Sequence, residues 1–159
     1  MSPFDARLAL AISEVRRDWE QILRLRDKAL SVDPGRGDAE AALVALSLDH
    51  SYEAFESILL RLERILGLPA RTGESWHKAL LVDGGMQIEG VRPAIYPPGA
   101  MNDWEALLGF RHFLRHAYAV SLDPARLRTN TSRLDAAVSA SRQSIDDLLR
   151  ALEREMGKT

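Results

Sequence analysis

The stretch GFRHFLRHAY (residues 109–118) sets two arginines, two histidines and a tyrosine among apolar residues, and its period decides the surrounding fold. On a wheel of roughly 100° per residue with Leu107 at zero, Phe110, Phe113, Leu114 and Ala117 share one arc with Leu107. That arc must face a core. Arg111, Arg115 and Tyr118 cluster beside it, at roughly 20° to 80°. His112 and His116, one turn apart, lie together at roughly 140° to 180°. The stretch therefore reads as a helix whose polar face has an arginine–tyrosine edge and a histidine edge.

The same period recurs on both sides. Leu8, Ile12, Val15, Trp19, Ile22, Leu23 and Leu30 mark a first helix over residues 3–31, which Asp33-Pro34-Gly35 stops. A second helix is expected from an Asp38 N-cap to Leu66, with Leu48, Tyr52, Phe55, Leu59, Leu62 and Leu66 as its stripe; Gly67 and Pro69 end it. ESWHKALLVD (74–83) reads as a short third helix. GGMQIEGVRPAIYPPGA (84–100) holds too much glycine and proline for a regular element. Met86, Ile88, Val91, Ile95 and Tyr96 are the expected anchors of that connection. Asn102 and Glu105 suggest a capping box for a fourth helix over 103–120. Asp123-Pro124 supplies an N-cap and a first-turn proline for a fifth helix, whose stripe runs from Leu127 through Leu134, Val138, Ile145, Leu148 and Leu152 to Met156. No strand alternation appears. The fold class is all-α, a bundle of four long helices plus a short one, expected as a single domain over residues 1–159.

Composition narrows the function. With 46% hydrophobic and 28% charged residues the chain has the balance of an ordinary globular protein. It contains no cysteine, which excludes disulfides and thiolate metal sites. No apolar run approaches the roughly 20 residues of a membrane span, and the start MSPFDARLAL lacks a signal-peptide pattern, so the expected location is cytoplasmic. A net charge of −2 argues against coating nucleic acid by bulk electrostatics. A local basic patch through Arg111, Arg115, Arg126, Arg128 and Arg133 remains open, as does a chance excess along exposed helix faces.

The motif Arg111-x4-His116-x-Tyr118, followed by a short link to Asp123, resembles the R-x4-6-H motif of HEPN ribonucleases, and within them the HepT-like toxin branch. The motif-level likeness runs from about Leu107 to Leu127. It implies a metal-independent endoribonuclease acting as the toxin of a toxin–antitoxin pair, with no cofactor. The residue chemistry fits RNA cleavage: imidazole exchanges protons near neutral pH, and a guanidinium offers a fixed fork of donors to phosphate. Arg111 is the expected phosphate ligand and His116 the acid/base, with His112 and Arg115 as auxiliaries. Arg111 and His116 lie about 140° apart around the helix, so a two-fold pairing of this helix would complete a cleft; the resemblance implies such a homodimer too. It also implies an MntA-type nucleotidyltransferase antitoxin that adenylylates Tyr118, placing a phosphate beside Arg111. The alternative is a non-catalytic, nucleotidyltransferase-associated binding or adaptor bundle.

Other candidates carry less. On the second helix, His50 with Tyr52 and Glu53 or Glu56 either lines the same cleft or is a structural histidine. His77 beside Trp76 reads as surface chemistry. Asp83-Gly84-Gly85 lacks the lysine of a phosphate-binding loop. His112 and His116 lack the intervening glutamate of a zinc-protease helix, and no metal site is expected.

Overall fold

The computed structural model describes residues 1–117 and 121–158. Its elements are α1 (Pro3–Ser31), α2 (Asp38–Ile65), α3 (Trp76–Gly84), a 3-10 turn (Pro98–Ala100), α4 (Met101–His116) and α5 (Pro124–Glu155). Among the described residues there is no strand, only one isolated bridge between Ile88 and Arg92. The all-α expectation holds.

Ser2 opens α1 with a capping box: its hydroxyl accepts from the Asp5 N–H at 3.0 Å while the Asp5 carboxylate receives the Ser2 N–H. Leu8, Ile12, Val15, Trp19 and Ile22 form the buried stripe. It continues to Ala29 rather than Leu30, which is half-exposed, because seven residues beyond Ile22 return to the same face. The N-cap of α2 is Gly37, not Asp38, which begins the helix and places its carboxylate in the first turn, where the helix dipole favours it. At the other end, Gly67 at φ 72° lets its own N–H reach the Arg64 carbonyl and the Leu68 N–H reach Glu63, a Schellman closure that leaves Leu66 exposed.

The expected capping box at Asn102 does not form. The 3-10 turn runs straight into α4, Ala100 is the N-cap without a side-chain bond, and Glu105 instead pairs with Lys78 of α3 at 2.8 Å. α4 ends at His116, with Ala117 as its C-cap at φ −91° and ψ 88°, short of the expected run to residue 120; Tyr118, Ala119 and Val120 lie outside the described residues. Asp123 caps α5 as expected, accepting from the Ala125 N–H at 3.0 Å.

The 85–97 connection is held by fewer anchors than its apolar content suggests. Ile95 and Tyr96 are buried, but Met86, Ile88 and Val91 face solvent. Order comes from Arg92, which donates to the carbonyls of Asp83 and Met86, and from the Tyr96 hydroxyl, which donates to Leu81. Gly84 and Gly85 have a packing reason: a Cβ on either would meet Leu59 or Tyr96 at 2.7 Å.

The core fixes α4 between α2 and α5. Trp104 stacks flat on Phe55 at 3.8 Å, and its indole N–H donates to the Ser141 hydroxyl at 3.0 Å. With Leu107 and Phe110 also buried, the rotation of α4 is determined, and so is the direction of its polar face.

Candidate functional site

Two turns beyond Trp104, the arginine edge of α4 faces α2. There Asp49 and Glu53, one turn apart, present carboxylates toward Arg111 and Arg115. The Arg111 Nη1 lies 3.4 Å from Glu53 Oε2 and 3.5 Å from the Asp49 carbonyl, and its Nε lies 3.8 Å from Asp49 Oδ1. Arg115 approaches the same two carboxylates at 3.9 Å. The Arg111 side chain is only 12% exposed, whereas that of Arg115 is 54% exposed. Arg111 is thus a guanidinium tucked between helices, not one on a solvated face.

These contacts are long. Charge-assisted N–H···O bonds close to about 2.7–2.9 Å, and none of the Arg111 contacts approaches that. Asp49 is buried, yet its Oδ1 accepts no hydrogen bond among the described residues. The guanidinium is placed by opposite charge, while both it and the buried carboxylate oxygen keep bonding capacity.

The histidine edge is open. His112 and His116 are exposed, their rings 4.3 Å apart, and His116 Nδ1 meets the His112 carbonyl at 2.8 Å. A carbonyl only accepts, so Nδ1 carries the proton and Nε2 is left for exchange. Among the described residues no bond links His116 to Arg111; within one chain the two expected site residues stay on separate edges. Tyr118, the expected modification target, is outside the described residues.

His50 joins the arginine side. A ring nitrogen of His50 and carboxylate oxygens of Asp49 and Glu53 all lie within 4.8 Å of one another. Three such donors match a cation site in spacing, but both carboxylates already face guanidiniums, whose charge opposes a cation there. His77 is engaged elsewhere: its Nδ1 meets Glu56 at 2.7 Å and its ring stacks on Trp76 at 3.6 Å.

The other basic residues of that stretch each touch a group of the same chain. Arg126 covers the Phe113 ring at 4.0 Å, Arg128 bonds Asp33 at 2.9 Å, and Arg133 reaches Asp103 at 3.4 Å. Sequence reasoning missed Asp49. Its signal was a carboxylate inside the apolar stripe, between Leu48 and Tyr52, where an unpaired charge would be costly.

The sequence model of a family described as HepT-like protein matches residues 43–152, more than half of the chain. The chain belongs to the HepT-like family. This is a HEPN-type, ribonuclease-related family with a toxin-like character. The matched span of the HepT-like chain includes Asp49, His50, Glu53, Arg111 and His116, and leaves α1 outside. No curated protein and no solved structure matches. No helix among the described residues is long and apolar enough to cross a membrane.

Proposed function

We propose that this HepT-like protein is a metal-independent endoribonuclease, built as one domain and acting as a homodimeric toxin. Arg111 binds the scissile phosphate, with Arg115 beside it, and His116 exchanges a proton at its outward Nε2 while His112 steadies the ring. The observation that carries this reading is the half-satisfied state of Arg111. Its fork is held in place by Asp49 and Glu53 at 3.4–3.8 Å and remains able to close on a phosphate at shorter range. The two-fold pairing of α4 brings the histidine edge of one copy to the arginine edge of the other. Tyr118 is the site at which an MntA-type nucleotidyltransferase antitoxin adds AMP, which blocks RNA cleavage.

Labelled RNA incubated with the purified protein in EDTA tests the reading. The expected products end in 2′,3′-cyclic phosphate and 5′-hydroxyl, and His116→Ala abolishes them. Cleavage that vanishes with chelator and returns with magnesium contradicts the mechanism.

A further inference from the structure

Transesterification of RNA moves two protons, one off the 2′-hydroxyl and one onto the leaving 5′-oxygen, and a single histidine beside the phosphate serves only one of them. The chain has four histidines. His77 is tied to Glu56 and stacked on Trp76, and His112 packs against His116 on the open edge of α4. His50 is left. It is exposed, and a ring nitrogen lies within 4.8 Å of a carboxylate oxygen of Asp49 and of Glu53, the two residues that face Arg111 and Arg115. Of the four imidazoles it is the one beside the carboxylates that face Arg111 in its own chain.

We infer that His50 is a second catalytic residue, the general base that takes the 2′-hydroxyl proton of an RNA strand whose phosphate Arg111 holds. The inference rests on the ribonuclease reading above. As His50 takes that proton, O2′ bonds to phosphorus and the P–O5′ bond breaks, its electron pair leaving with O5′. The leaving oxygen receives a proton from the His116 edge. The products are a 2′,3′-cyclic phosphate and a 5′-hydroxyl, with no water consumed and no co-reactant required. The imidazolium formed on His50 lies among carboxylates. Asp49 Oδ1, buried and without a hydrogen bond among the described residues, leaves an acceptor on the neighbouring residue. The charged groups beside His50 are Asp49 and Glu53 on its own helix, which in turn face Arg111 and Arg115 on α4.

The test compares wild type, His50→Gln and Arg111→Lys, full-length and in EDTA, on one labelled RNA oligonucleotide across pH 5–9. His50→Gln should lower kcat by about 100-fold or more, the usual range for a lost general base, with KM changed by less than about threefold. The acidic limb of the pH profile should flatten, and free imidazole should restore part of the rate to His50→Gly. His50→Gln cleaving within threefold of wild type, while Arg111→Lys is impaired, overturns the assignment and leaves the ribonuclease reading standing. A slowed His50→Gln with both limbs intact and no imidazole rescue also overturns it, in favour of a positioning role. A wild type that cleaves no RNA overturns both readings together.

Discussion

Two arginines in this molecule sit between helices opposite a pair of carboxylates one turn apart, and they are held very differently. Arg61 of α2 faces Glu14 and Asp18 of α1, and Arg111 of α4 faces Asp49 and Glu53 of α2. Their side chains are similarly covered, at 19% and 12% exposure. Yet Arg61 closes on its partners at 2.6 and 2.9 Å, while Arg111 stays at 3.4 and 3.8 Å. Arg71 follows the first pattern, donating to Glu63 and Asp83, which push its guanidinium further from any loss of charge. Composition and burial therefore do not distinguish the two arginines. Bond length does: Arg61 closes on its carboxylates, and Arg111 donates to Glu53 and the Asp49 carbonyl only at 3.4 and 3.5 Å.

The comparison breaks if the closed arginine proves dispensable for the fold. Arg61→Ala removes two short charge-assisted bonds and leaves Glu14 and Asp18 one turn apart with like charge. Allowing for partial exposure, the expected cost is about 2 kcal/mol, or a Tm lower by about 4–8 °C for a chain of this size. RNA cleavage at a temperature well below that Tm should be unchanged. Thermal melts and a cleavage assay on the same preparation check both halves.

A smaller effect sharpens the same distinction with neutral groups. Tyr96 donates its hydroxyl to the Leu81 carbonyl and contacts the Met101 sulfur, whereas the buried Tyr52 hydroxyl has no hydrogen-bond partner among the described residues. Tyr96→Phe should cost about 1 kcal/mol, and Tyr52→Phe should be near neutral or slightly stabilising, because it removes a polar atom whose desolvation is uncompensated. Burial raises the pKa of both phenols, Tyr96 to about 12. An unfolded tyrosine loses its proton near about pH 10. Between that value and 12 the folded state binds more protons, so the stability from Tyr96 is complete below pH 10 and is lost as pH rises through the folded value. Tyr96→Phe should accordingly flatten the alkaline fall in Tm, which melts from pH 8 to 11.5 would show.

How much of this was legible depended on whether local chemistry or three-dimensional placement decides. The stripes from Leu8 to Ile22, from Leu48 to Leu62 and from Leu127 to Leu148 read correctly because burial repeats with the helix. The Asp123 cap read correctly because the bond is local. Asn102 misled, since a 3-10 turn carries the chain into α4 and makes a side-chain cap unnecessary. Leu30, Met86, Ile88 and Val91 misled because apolar character was taken for burial near element ends and in a connection whose order comes from hydrogen bonds. At the candidate site, the spacing of Arg111 and His116 was legible. Asp49 was not, because its significance lies in the helix it faces, and neither was the docking of Arg111 against α2.

In the ribonuclease reading, the fork geometry of Arg111 serves a ligand and not the fold. Arg111→Ala confounds the two, since it strands the buried Asp49 carboxylate. Arg111→Lys keeps the positive charge opposite Asp49 and removes only the planar pair of donors. The direct measurement is its Tm and its single-turnover cleavage of labelled RNA in EDTA, beside wild type. On that reading the expected Tm lies within about 2 °C of wild type, and cleavage is expected to be slower by about 100-fold or more. Cleavage within a few-fold of wild type at unchanged Tm, or a fall in Tm like that of Arg61→Ala, would contradict it.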